Sequence, residues 1–367
     1  MEKHIQKIAP NQFGILVMFF TVGSSILLIP RPLIAVSKQD GWIAGTLGLG
    51  LGLLVIWLYL KIIKLSPDTN LYKLMEKAFG KILGKVVSVC YFFFIFLLTC
   101  EVLSNLGDFL TTQIMVETPK IYLHLLFLFP IVYGARQGIE TIARSAQVVL
   151  PTFLIMIIFM VVALIPQGDI ANLEPIFGEG VKSTINGSLS ILTVPFLELF
   201  IFFVIAPHVT KKEKIKKAFL LGGLTGGSIL IIITFLVILV LGPHFSSQVE
   251  YPTYLLSKKI NIANFLQRLE VVAAAVWVIS LFYKVIICFH STAIGLRELI
   301  GLKGQNLLIH PLSIVVLYFS VTIYPNVAFF VMFIEKVVLS YTLLFGLVIP
   351  LAVYIILKVK SKKGKNN

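Results

Sequence analysis

The sequence predicts an all-α integral membrane protein. Its ten transmembrane helices form a single domain over residues 1–367, built from two five-helix repeats of opposite orientation. Three observations predict it. The 367 residues are 58% hydrophobic and only 13% charged, with a mean hydropathy of +0.97. That is more apolar surface than a soluble domain of this length needs. The apolar residues gather in ten runs, and the first and sixth runs are each interrupted near the middle.

By the ~20 residues a bilayer requires, the runs cover roughly 12–35, 41–64, 83–109, 120–136, 142–166, 185–207, 218–242, 267–296, 306–324 and 327–357. An even number returns both termini to one side. With that side taken as the cytoplasm, the inner segments hold 22 of the 31 Lys and Arg residues and the outer segments 7, with Lys284 and Lys336 inside spans. The positive-inside rule therefore puts both termini in the cytoplasm. The net charge of +14 is carried mostly by these short loops, which speaks for a lipid bilayer as the partner and against nucleic acid. Met1–Gln12 is polar and the run after it is too long for the core of a cleaved signal, so none is expected. Cys90, Cys100 and Cys288 all lie inside apolar runs. They offer no disulfide framework and no metal spacing, and read as small buried hydrophobes.

The first span contains TVGSSILLIPRP. A proline at position i lacks an N–H and displaces the carbonyl of i−4. Pro30 thus frees the carbonyl of Ile26, Gly23 relaxes the chain just before it, and Ser24 and Ser25 bring hydroxyls. Backbone groups cannot stay unpaired in hydrocarbon, so this segment reads as a helix broken near the midplane with groups open to a ligand. The sixth span, SLSILTVPFLELFIFFVIAPHV, repeats the device. Pro195 frees the carbonyl of Ile191, close to Thr193, and Glu198 follows almost one turn later. Each broken span opens a block of five, about 12–166 and about 185–357. Five is odd, so the second block is inverted, as in transporters whose discontinuous helices meet at a central site. The helix N-terminus beyond the first break suits a carboxylate. Freed carbonyls at the second suit an ammonium. Together they describe a pocket for an amino acid.

Charges at membrane depth need a partner or a task. Glu198 lies at the second break, and Lys284 lies more than ten residues from either end of the eighth span. Two arrangements stay open. The two form a buried pair, or Glu198 holds a ligand ammonium while Lys284 replaces a bound cation or carries a proton. Glu101, in the third span, is deep enough to line the same pathway. No HExxH, nucleophile constellation or phosphate-binding glycine loop is present, so neither an enzyme, a metal site nor a cofactor is expected.

Three connections have content. Residues 71–85 (LYKLMEKAFGKILGK) set Leu71, Leu74, Met75, Ala78, Phe79, Ile82 and Leu83 against lysines, as an amphipathic helix on the inner leaflet would. The loop at 167–187 is rich in turn residues. The loop at 242–264, with GPHF and EYPTY, is long enough to fold back over a cavity.

Over nearly its whole length the chain resembles the integral-membrane B subunits of nutrient germinant receptors of bacterial endospores, members of the amino acid–polyamine–organocation superfamily. VGSSILLIPRPL with DGWIAG, NLEPIFGEG, PFLELFIFFVIAPHVTKKEK, YPTY and RLEVVAAAVWVISLFYK carry the resemblance. It implies a LeuT-type 5+5 inverted repeat with broken helices 1 and 6. It also implies a subunit in the inner membrane of the spore, partnered by an A-type membrane subunit and a C-type lipoprotein, that binds a nutrient and triggers germination. Two residues depart from the superfamily pattern: a single Gly23 stands in the first break, and Glu198 fills a place that relatives give to small residues. The alternative expectation is an amino acid permease coupled to protons or cations.

Overall fold

Hydrocarbon cannot pair backbone N–H and C=O groups, so each crossing must pair its own. The computed structural model describes residues 6–259, 270–302, 304, 306–324, 329, 332–333 and 337–363. Among them eight helical stretches are long and apolar enough to cross a membrane. The two further spans expected, α7 (Lys120–Gln137) and α15 (Asn306–Thr322), are helices of 18 and 17 residues that fall short of that measure and pack on each other. Glu335, Lys336 and positions 267–269 of the expected eighth span lie outside the described residues.

Burial sorts the stretches. Of its most apolar window, Val181–His208 has 89% inside the protein and Pro10–Leu28 has 72%, against 22% for Ile139–Gln167 and 28% for Leu339–Lys362. The two interrupted runs therefore form the centre, and the others separate them from lipid.

The first run divides into α1 (Pro10–Val22), α2 (Ser25–Leu28) and α3 (Pro30–Ser37). Pro30 opens α3, where its missing N–H costs nothing. The sixth run departs from expectation. Here α9 (Val181–Phe196) continues through Pro195, and the interruption comes just after it. A 3-10 turn, Leu197–Ile201, leads into the short α10 (Phe202–Ile205). Tightening to 3-10 keeps most backbone groups bonded, which an apolar centre favours over unwinding.

Two glycine-rich helices hold this centre. In α4 (Gly41–Leu65), a Cβ at Gly52 would lie 2.3 Å from the ring of Phe196. In α11 (Ile215–Leu241), one at Gly222 would lie 2.4 Å from the carbonyl oxygen of Gly14. Without side chains there, helix backbones approach closely enough to pack by dispersion alone. So α4 grips the sixth run and α11 grips the first.

The amphipathic segment is shorter than expected and faces elsewhere. Gly80, at φ 86, ends α5 (Leu71–Phe79), and Lys81 already begins the long α6 (Lys81–Gln113). Leu71, Leu74, Met75 and Ala78 are buried, while Ile82 and Leu83 are exposed on α6. The apolar face of α5 packs on α6 and on α17 (Ile349–Lys363), so protein rather than lipid covers it.

The loop after α11 does fold back. Within it, α12 (Pro243–Gln248) lies against α3, and α13 (Pro252–Lys258) lies against α2, α3 and α14 (Glu270–Ile300).

The charge asymmetry makes a direct prediction. In a chain freed of native cysteines, single cysteines at Lys182 and Lys358 react with an impermeant maleimide from opposite sides. Reaction of both from one side would overturn the topology.

Candidate functional site

The site begins with what the broken first run leaves unpaired. Gly23 closes α1 by donating its N–H to Phe19 at 2.8 Å. Its carbonyl is then free of the helix, and it accepts the Ser280 hydroxyl at 3.2 Å from α14. The Ile26 carbonyl, expected to be open to a ligand, accepts the Thr253 hydroxyl at 2.9 Å. Thr253 belongs to α13, so the loop that folds back after α11 covers the broken helix as a lid and bonds it through this side chain.

Lys284 fills the space beside the break. Its ammonium lies 2.8 Å from a carboxylate oxygen of Glu198 and donates to the Ser24 hydroxyl at 3.0 Å. The face of the Phe20 ring stands 5.0 Å away, within range of a cation–π attraction. Both charged side chains are buried. One ammonium therefore joins the first run, the sixth run and α14. The direct pair, one of the two arrangements open in the sequence, is the one observed. The stem of Lys284 reaches this point because Gly23 has no side chain. A Cβ there would meet Lys284 Cδ at 2.5 Å.

Glu101 joins the cluster from α6. It lies within electrostatic reach of Glu198 and Lys284, and the Tyr324 hydroxyl donates to it. Among the described residues, Ser25 Oγ, Asn105 Oδ1 and Trp277 Nε1 are buried nearby without a hydrogen-bond partner. They belong to adjoining turns. Trp277 sits one turn before Ser280, which bonds the break beside Ser25. Asn105 sits one turn before Phe109, whose ring packs 5.1 Å from Trp277. Above them, Tyr251 and Tyr254 of the lid segment meet Phe109 at 5.6 and 5.4 Å. On the opposite side, Ile8 pairs with His208 and Thr210, and the Gln6 side chain bonds Gln137 and Ile139.

Of the expected site residues, Gly23, Ser24, Glu198 and Lys284 come into one contact set, flanked by Ser25, Ile26 and Glu101. Three stand apart from that set. Ile191 turns onto Gly48 of α4, and Pro195 is buried inside α9. Thr193 bonds the Ser190 carbonyl and lines a separate groove of about 270 Å³ with Leu28, Pro32 and Val338. Sequence reasoning missed Tyr59 and Tyr91. The Tyr59 hydroxyl sits 3.0 Å from the Leu197 carbonyl in the 3-10 turn and 2.5 Å from that of Gly346. Tyr91 donates to Phe345 at 2.7 Å. Both acceptors on the last helix lie in a π-helical stretch, Leu344–Val348, where irregular backbone needs partners. A tyrosine deep in an apolar run was the available signal.

The lid supplies two predictions. Thr253→Val removes one hydrogen bond, worth about 1 kcal/mol. Hydrogen exchange in residues 251–258 should rise about fivefold, and unchanged exchange would show that the contact does not hold the lid. Burial holds the Glu250 carboxyl, beside the lid, above the usual carboxylate range, partly offset by Tyr251 and Arg31 and reinforced by Asp108. A carboxyl raised by folding favours the docked lid below its ordinary value, and that preference is lost as pH rises through the raised one. With the intrinsic pH dependence of amide exchange divided out, protection of the lid should accordingly be higher at low pH in the native chain, and that dependence should flatten in Glu250→Gln.

Comparison with known proteins places these features in a family. Spore germination protein KB of Bacillus subtilis is 27% identical over 100% of this chain and 98% of its own length. Spore germination protein A2 of Bacillus subtilis is 26% identical over 93% of each chain. Spore germination protein XB of Bacillus anthracis is 25% identical over 71% of this chain and 72% of its own. Among solved structures, the nucleobase-cation-symport-1 transporter Mhp1, closed around bromovinylhydantoin, superposes with a TM-score of 0.68 at 11% identity, over 92% of this chain and 76% of its own. MhsT in complex with L-phenylalanine gives 0.62 at 13%, over 96% and 98%. These two establish the LeuT-type fold. The family profile described as spore germination protein matches residues 7–328, and the chain belongs to that family of multi-pass membrane proteins.

Proposed function

We propose that the chain is the nutrient-binding membrane subunit of a spore germinant receptor, acting in the inner membrane of the spore with both termini cytoplasmic. Its domain is one transporter-like unit with repeats at about 12–166 and 185–357. An A-type membrane subunit and a C-type lipoprotein complete the receptor. The nutrient is an amino acid, held between the first, third, sixth and eighth spans.

The single observation that carries this reading is the Lys284 ammonium bridging both interrupted helices. A ligand carboxylate can compete with Glu198 for that ammonium, and a ligand ammonium can compete with Lys284 for Glu198. Either exchange alters what holds the two central helices together, which is what a sensor requires. Ser25, Asn105 and Trp277 support the reading. A buried unpartnered polar atom costs about 1–3 kcal/mol, and a bound polar ligand removes that cost. The fixed internal ammonium also makes a bound metal cation dispensable at this place.

The second reading, a proton-coupled amino acid permease, is favoured by one observation. Glu101 adds a second carboxylate to a cluster with one lysine, and such a cluster can take up a proton. Purified receptor and proteoliposomes separate the two. Saturable stabilisation by an amino acid without concentrative uptake supports the sensor. Uptake driven by a pH gradient supports the permease, and absence of any amino acid effect overturns both.

A further inference from the structure

At the lysine-rich ends of α4 and α11 lies a cavity of about 480 Å³ that shares no lining residue with the central charge cluster. Lys61, Lys64, Lys212 and Lys216 line it, against the single carboxylate of Glu213, over a floor that includes Leu60 and Ile215. Lys212 is committed to the wall. Its ammonium donates to the Ala206 and Pro207 carbonyls at 2.9 and 2.6 Å and pairs with Asp68 at 3.5 Å. Lys61, Lys64 and Lys216 form no ion pair among the described residues. The Lys61 ammonium instead stands 4.6 Å over the exposed ring of Trp57, another wall residue.

The surface leading to the cavity is apolar. Leu47, Leu51, Leu54 and Trp57 are exposed at spacings of three and four along α4, ending at Lys61. The rise from Leu47 to Lys61 is about 21 Å, more than half of a ~30 Å hydrocarbon core. Indole rings favour the boundary between headgroups and chains. An apolar stripe long enough to line one leaflet thus leads into a pocket with three lysines that form no ion pair among the described residues. Basic recesses between membrane helices suit acidic lipid headgroups.

The geometry points to a binding site for an anionic phospholipid, its phosphate among Lys61, Lys64 and Lys216 and its acyl chains along the leucine stripe. The two ends of the site sit on α4 and α11, the helices that grip the sixth and first runs. A lipid there braces the pair that holds the centre, and this holds whether the protein senses or transports.

The test is native mass spectrometry of the full chain released from micelles containing equal phosphatidylglycerol and phosphatidylcholine of matched chains. One phosphatidylglycerol should be retained in preference. Its occupancy should fall at least tenfold in Lys61→Glu/Lys64→Glu/Lys216→Glu, and persist in the corresponding arginine triple. A control triple, Lys81→Glu/Lys85→Glu/Lys358→Glu, should keep the lipid. If the first triple fails to fold by thermal melting, Lys61→Gln/Lys64→Gln with Trp57→Ala gives the same reading. Equal loss in the control would reduce the effect to a diffuse basic field. No preference for phosphatidylglycerol, or its displacement by millimolar inorganic phosphate, would also overturn the lipid site.

Discussion

Glu198→Gln and Lys284→Met, made singly, should each destabilise the folded chain by about 3–5 kcal/mol, because each strands the other charge in a buried site. The double variant should recover much of that loss. The ion pair is 2.8 Å long and buried on both sides, so the Coulomb attraction is unscreened and no water replaces a missing partner. Methionine keeps most of the lysine stem over Gly23 and removes the charge, and glutamine keeps the shape of Glu198. A double-mutant cycle on melting in detergent should give coupling of about 0.5–3 kcal/mol. Simple addition of the two effects would show that the contact contributes nothing beyond its separate environments. Under the sensor reading, the double variant assembles but does not respond to nutrient, since the group that the ligand would exchange with is gone.

Gly23→Leu should be the other large effect, and its cause lies in packing. A Cβ at Gly23 would sit 2.5 Å from Lys284 Cδ and 2.8 Å from the Phe20 carbonyl oxygen. The lysine stem can move, but the carbonyl belongs to α1 and cannot move without distorting it. Overpacking of this kind costs about 1–3 kcal/mol for small additions and more for a leucine. Gly23→Ala should therefore fall between the native chain and Gly23→Leu in both melting and nutrient response. In a Lys284→Ala background, Gly23→Ala should cost measurably less than in the native chain. An equal cost in both backgrounds would show that Gly23 makes room for something other than Lys284.

Part of this site was legible without coordinates. Glycine and proline within an apolar run leave backbone groups unpaired, and that local chemistry marks the break at Gly23 and, within a turn, the one after Pro195. A lysine and two glutamates more than two turns inside apolar runs must find partners, which singles out Glu198, Lys284 and Glu101. The lid contact was not legible. Thr253 is an ordinary threonine in a loop, and its bond to Ile26 exists only because the chain returns over the break. The destination of the α5 face was equally hidden. Amphipathicity says that Leu71, Leu74 and Met75 are covered, and not whether lipid or protein covers them.

Local chemistry was enough to show that the chain is helical, that it crosses the membrane many times, that its two central helices are interrupted, and which charges are trapped at depth. Each of these follows from local covalent and solvation chemistry, read residue by residue. Long-range packing set the rest: Lys284 joins Ser24 to Glu198, Thr253 occupies the Ile26 carbonyl, and Ser25, Asn105 and Trp277 lie beside them without partners among the described residues. The cause is separation along the chain. Ser24 and Lys284 are 260 residues apart, and their 3.0 Å contact is set by how glycine-faced helices pack. No spacing or composition in either segment encodes that packing.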